Sequence, residues 1–261
     1  MVGKYLKIWW GMTIIASQIA FASRFGAVIF VLGKVLRFGF FLLFLILLVS
    51  KTKAIVGYEI WQIIFFFATF NLVDTVVQLF LREVYRFRSY VVSGDFDYFL
   101  VKPISPLFRS LFGGSDVLDI LMLVISVGFV IMSIFRIGNI TFSGVMLYIL
   151  LILNALLIAI AFHIFILVIG ILTTEVDNTL WLYRDVTQMG RVPIDIYKEP
   201  IRGILTFIIP VGIMMTFPAK SLMGLLSIQA VLISFLVGAV LLYISLKCWK
   251  FAISRYASAS S

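Results

Sequence analysis

The 261-residue sequence predicts an all-α polytopic membrane protein, one membrane domain over 1–261. Three observations carry this. Hydrophobic residues make up 63% of the chain and charged ones only 13%, where an average soluble domain is about 25% charged. Several runs reach the roughly 20 apolar residues that cross a hydrocarbon core. Those runs are continuously apolar, whereas the strands of a transmembrane barrel alternate.

The elements follow in order. Residues 1–27 read as a helix lying in the membrane interface, because Lys4, Lys7, Gly11 and Gln18 share one stripe while Trp9, Trp10 and Phe21 lie off it. The two lysines ahead of an apolar stretch ending Ala20-Phe21-Ala22 also imitate a cleaved signal peptide. Gly11, Ser17 and Gln18 interrupt that stretch and favour the interfacial helix. Hydropathy then gives six transmembrane helices, at 28–50, 58–81, 117–137, 142–172, 203–217 and 226–246. The fourth is long. The fifth is short, contains Pro210 and ends at Pro218. The mildly apolar stretch behind it makes 219–227 a candidate re-entrant segment before span six. A Ser/Ala tail closes the chain at 257–261.

Basic residues orient the bundle. With the N-terminus in the cytoplasm, fifteen Lys and Arg residues fall on cytoplasmic segments and only Lys51, Lys53, Arg136 and Lys220 on outer ones. Both termini and both polar segments, 82–116 and 173–202, are therefore expected in the cytoplasm. The net charge of +9 reads as this orientation signal, not as a nucleic-acid footprint. Cys248 is the single cysteine, so no intrachain disulfide can form.

Catalytic chemistry finds little to stand on. No G-x-x-x-x-G-K-S/T run occurs, so the chain has no P-loop of its own. The lone His163 has no companion acid for a metal site and reads as a polar residue facing a neighbouring helix. Asn71, Asp74 and Gln78 share one face of the second span. They form either a polar lining of a translocation route or hydrogen bonds between helices. Lys34 and Arg37 share a face of the first span, where they either snorkel or hold a lipid headgroup.

One cytoplasmic stretch, 93–110, stands out with two acids, two bases and two prolines. Gly94 permits a turn. Asp95 and Asp97 then stand at the head of a short helix, where acids oppose the positive end of its dipole. Tyr98, Phe99 and Leu100 need somewhere to dock, on bilayer or partner. Pro103 and Pro106 are expected to stop the helix, and Ser115 to cap the third span.

The run Gly94, Asp97, Leu100, Lys102, Pro103, Ile104 and Ser105 resembles the loop between the second and third helices of type II ABC exporter permeases, the six-helix bacterial subgroup above all. Arg191, Pro193, Tyr197, Arg202, Leu205, Thr206, Pro210 and Pro218 add a weaker second match. The resemblance spans the chain in helix number, length and order. It implies a half-transporter in a bacterial-type cytoplasmic membrane, paired with a second permease chain, as homodimer or heterodimer, and contacting membrane lipid. A separate ABC ATPase subunit would hold ATP and Mg, leaving this chain no cofactor and no catalysis. Residues 93–109 would carry the coupling helix, with Gly94, Asp95, Asp97, Tyr98, Phe99, Lys102, Pro103, Pro106 and Arg109 at the ATPase contact. The segment 173–202 fits this pattern least, reading either as a second docking surface or as a continuation of the fourth helix. A scaffold that docks partners through the same loops, without transport, is the competing reading. An intramembrane lipid enzyme lacks an acid–base cluster. Few charges inside the spans suggest a hydrophobic or amphipathic cargo.

Overall fold

The computed structural model describes residues 2–138 and 140–257; the Ser/Ala tail beyond Ala257 lies outside them. Helix α1 (Val2–Ala22) breaks at Ser23, whose hydroxyl caps α2 (Arg24–Thr52) by accepting from the Gly26 amide. A seven-residue connection turns the chain into α3 (Ile60–Leu81), which runs on through a 3₁₀ turn (Arg82–Arg86) into α4 (Phe87–Val92). Two one-and-a-half-turn helices follow, α5 (Phe96–Val101) and α6 (Pro106–Leu111). Helix α7 (Ile120–Ile137), opened by a 3₁₀ turn at Val117–Asp119, and the long α8 (Phe142–Thr173) lead to α9 (Val176–Gln188). Then come α10 (Ile201–Gly203) with a π turn to Ile208, a second π turn (Gly212–Thr216) merging into α11 (Phe217–Leu222), and α12 (Ile228–Arg255).

Among the described residues, five helices are long and apolar enough to cross a membrane: α2, α3 with its extension, α7 with its 3₁₀ turn, α8 and α12. Helices α2, α7 and α8 lie within a few residues of the predicted 28–50, 117–137 and 142–172; α3 starts near 58 but its extension carries it to Val92, and α12 runs nine residues past 246. Burial differs sharply among them. Helices α3 and α8 form the centre of the bundle, with Phe65, Phe66, Phe67, Phe70, Ile158 and Ile164 fully enclosed. Helix α2 leaves most of its surface bare. Helix α12 lies along α8, where Asn154 donates to the Ser234 carbonyl at 2.9 Å. Gly238 leaves room for the Asn154 side chain, as small residues do where membrane helices approach closely.

The fifth span is not where hydropathy puts it. Segment 173–202 was expected at one end of the bundle, yet it runs from one end to the other. Asp177, at the start of α9, meets Arg88 of α4 at the end carrying 82–116. Tyr183 stacks on Phe162 of α8, deep in the bundle. Arg191 lies over Phe70, halfway along α3. Asp195 accepts from Tyr58, at the opposite end, at 3.0 Å. The 21 residues 176–196 thus recross the bundle as a polar fifth span, long enough at about 1.5 Å per residue for a bilayer core of about 30 Å.

The predicted fifth span, 203–217, is instead part of a re-entrant hairpin. Its two legs, Ile201–Ile208 and Gly212–Leu222, are bent by 77° at Pro210. Arg202 on the first leg and Lys220 on the second both pair with Asp195, at 3.1 and 2.7 Å. Both legs therefore enter and leave at the same end. The tip packs on α9's extension, where Gly190 lets Val211 and Met215 come close. The re-entrant element was expected at 219–227; it begins earlier, because Ala219 and Leu222 continue helix α11 into the core.

Candidate functional site

Two places gather the residues singled out by sequence, and one buried carboxylate links them. The first is the segment 93–112. Gly94 takes φ +79°, the left-handed turn that ends α4. Asp95 stands at the head of α5 and accepts from Ser93 at 2.7 Å, and Asp97 follows in the first turn. Asp97 faces Tyr256, whose phenol is pushed up to about 12, first by burial and then by that carboxylate. Pro103 follows the helix end, as expected. Pro106 does not stop α5 but starts α6, at the first helical position behind the Ser105 cap, where a missing N–H costs nothing. Ser115 is likewise no cap: its amide donates to Thr13 of α1, and Asp116 caps the third span by accepting from Leu118.

The aromatic residues of this segment divide. Phe96 and Phe99 turn inward, Phe96 onto Phe87, Trp249 and Tyr256. Tyr98 and Val101 stay 63% and 79% exposed, next to exposed Lys102 and Pro103. Arg109 also turns inward, its guanidinium 4.6 Å from the Phe99 ring centroid. Its partner is Glu83, which sequence reasoning passed over. The Glu83 carboxylate is 2% exposed and accepts from Arg109 at 2.6 Å, Tyr90 at 2.8 Å and Arg86 at 3.3 Å. Gly113 packs so tightly on this cluster that a methyl group there would strike both Glu83 and Arg109. Helix α1 braces the other side, with Lys4 donating to the Pro103 carbonyl and Tyr5 edge-on to Phe108.

The second place is a cavity of about 70 Å³ between α2, α3 and α9, room for a few waters or one small group. Asn71, Asp74 and Gln78 do share one face and line it together. Part of their bonding stays within α3: Gln78 donates to Asp74 at 2.6 Å, and Asn71 to the Phe67 carbonyl at 2.7 Å. Lys34 and Arg37 line the same cavity, so neither snorkels away from it. Lys34 pairs with Asp119, and Arg37 reaches Gln188 at 3.1 Å. From α9 and its extension come Arg184 and Arg191, which hydropathy reading had consigned to a cytoplasmic loop. His163 lies on the far side of α9, bonded to the Ala159 carbonyl and edge-on to Tyr183. Among the described residues no group of three His, Cys, Asp or Glu is placed to hold a metal.

A chain of contacts joins the two places. Glu83 stands two residues beyond Leu81, in the 3₁₀ turn that continues α3, so the clamp on Arg109 fixes α6 to the helix carrying Asn71, Asp74 and Gln78. Arg82, beside it, spans Asp116 and Asp119 at the head of the third span.

No curated protein and no solved structure matches the chain significantly. A family model does, over residues 35–260, described as ABC-2 family transporter protein. With that match covering most of its length, five apolar spans, a polar fifth and a re-entrant hairpin, the chain is a multi-pass membrane transport component that belongs to the ABC-2 transporter family.

Proposed function

We propose that the chain is the membrane-spanning permease subunit of an ATP-driven exporter, with ATP and Mg held by a separate ABC ATPase subunit that docks on residues 93–105. The observation that carries this is the build of that segment. Its inner side is fixed by Phe96, Phe99 and the Glu83–Arg109 pair, while Tyr98, Val101, Lys102 and Pro103 stand bare on the outer side. Rigid backing behind an exposed aromatic and apolar patch suits a surface that receives force from a partner. Closure of the ATPase pair would push α5 and α6. The Glu83 clamp would pass that displacement to α3 and its polar face, and Phe96 would pass it to Trp249 of α12. With Arg184 and Arg191 inside the bundle and Lys198 and Arg202 moved to the hairpin's end, the expected fifteen basic residues against four become eleven against six; that balance still favours this end and both termini in the cytoplasm.

The reading includes a second permease chain. The bare face of α9 carries Asn178, Trp181, Leu182 and Asp185. An acid in a spanning segment faces protein or water, not lipid, so a second copy or a route between two copies would cover this face. A polar cavity within the bundle favours transport over a scaffold, which has no use for one.

The test is affinity purification from the native membrane in mild detergent with mass spectrometry of the co-purifying chains. A stoichiometric P-loop ATPase supports the reading, and Tyr98→Asp together with Val101→Asp should release it while leaving the bundle folded. An intact, folded chain that brings no ATPase would overturn it in favour of a scaffold.

A further inference from the structure

We propose that the cavity between α2, α3 and α9 binds an anionic headgroup, a phosphate or a carboxylate, carried on an amphipathic molecule. The charges do not balance. Four cations line the cavity, Lys34, Arg37, Arg184 and Arg191, against two acids, Asp74 and Asp119. Lys34 and Arg82 take up Asp119. That leaves Asp74 as the only lining acid for three guanidinium groups, and none of the three has a carboxylate within ion-pair distance among the described residues.

Their partners are neutral. Arg37 uses Gln188, Arg184 uses the Tyr85 hydroxyl at 2.9 Å, and Arg191 lies over the rings of Phe41 and Phe70. The Arg191 Nε is buried and has no hydrogen-bond partner. Three guanidinium groups that share one unpaired carboxylate inside a membrane-spanning bundle are costly. An anion that accepts from two of their planar forks removes that cost, and phosphate and carboxylate match the fork geometry. The cavity of about 70 Å³ has room for such a headgroup. The same cavity is walled by Phe38, Phe41, Phe67 and Phe70, apolar surface beside the cations that suits the first part of a tail.

The source of the anion, transported cargo or a resident lipid, rests on the permease reading; binding itself does not. The first experiment titrates the purified full chain in maltoside detergent with lysophosphatidic acid and with lysophosphatidylcholine of the same acyl length, by thermophoresis. The expected result is about tenfold tighter binding of the anionic probe, weakening as salt rises. Arg191→Gln and Arg184→Gln should each lose that preference, and Arg191→Lys, which keeps the charge but not the planar fork, should keep only part of it. Equal affinity for the two headgroups overturns the proposal, as does a preference that survives the double glutamine variant. Should the glutamine variants fail to fold, the headgroup comparison on the unsubstituted chain still decides. A second experiment reconstitutes the chain with its ATPase in phosphatidylcholine vesicles containing labelled phosphatidic acid. ATP-driven movement of the label identifies cargo; stoichiometric retention without movement identifies a resident headgroup, and both support the site. Failure to find an ATPase would sink the permease reading and leave the titration standing.

Discussion

Replacing Glu83 by Gln should loosen residues 93–112 and leave the spans folded. The carboxylate is enclosed and serves three donors, the shortest being Arg109 at 2.6 Å. Removing one member of a buried pair costs about 3–5 kcal/mol when the other is left stranded. Arg109 is not wholly stranded: its side chain keeps 20% exposure and its place over Phe99, the latter worth about 0.5–2 kcal/mol. The glutamine oxygen also still accepts one bond. The net loss is then about 2–3 kcal/mol, which raises the population of the opened segment roughly 30- to 150-fold. Hydrogen–deuterium exchange in nanodiscs reads this directly, as faster exchange of amides in 93–112 with no change in α3 and α8. Gly113→Ala, which drives a methyl group into the same cluster, should give the same pattern. Unchanged exchange in 93–112 for both variants would refute the clamp and, with it, the mechanical link from α6 to α3.

Other consequences are equally direct. Asp195→Ala removes the carboxylate that ties Tyr58, Arg202 and Lys220 together; a cysteine placed at buried Val211 should then react with a maleimide at least tenfold faster, by the cost of breaking a buried pair, and equal rates would count against the hairpin's anchoring. Gly238→Ala collides with Asn154 between α8 and α12, for a loss of about 1–3 kcal/mol, seen as a lower melting temperature that Asn154→Ala partly restores. The Tyr256 phenol, raised from 10.0 to about 12, contributes stability that is complete below pH 10 and is lost as pH rises toward 12. Alkaline titration of α12's attachment to α5 should show that loss, and Tyr256→Phe should flatten it.

Much of the bundle could be read from hydropathy because α2, α3, α7, α8 and α12 each place a long apolar run where a bilayer requires one. The short helix α5 was legible for a different reason: Gly94 and Pro103 bracket it, and each has a fixed backbone meaning. Pro106 misled because proline both ends helices and begins them, and only the Ser105 hydroxyl on the Phe108 amide decides which. Glu83 escaped notice because an acid among three arginines looks like a solvated turn. Nothing in its local sequence tells that Arg109, 26 residues on, returns to it.

The polar fifth span and the cavity were missed together, and for one reason. A window of hydropathy treats every charge as a vote for water, which holds for a helix against lipid and fails for a helix against protein. In α9, Arg184 reaches Tyr85, Tyr183 stacks on Phe162, and Leu180 is enclosed, so on its inner face charged and apolar side chains alike point into the bundle. Asp74 on α3 was the visible trace: an acid in an apolar span requires cations at its own depth, and no other predicted span facing it offered any but Lys34 and Arg37. The segment 173–202 held two more, Arg184 and Arg191. Had it been placed by the demand for counter-charge at Asp74, it would have been drawn as a span, and the short, proline-broken run at 203–217 would have been left free to turn back on itself.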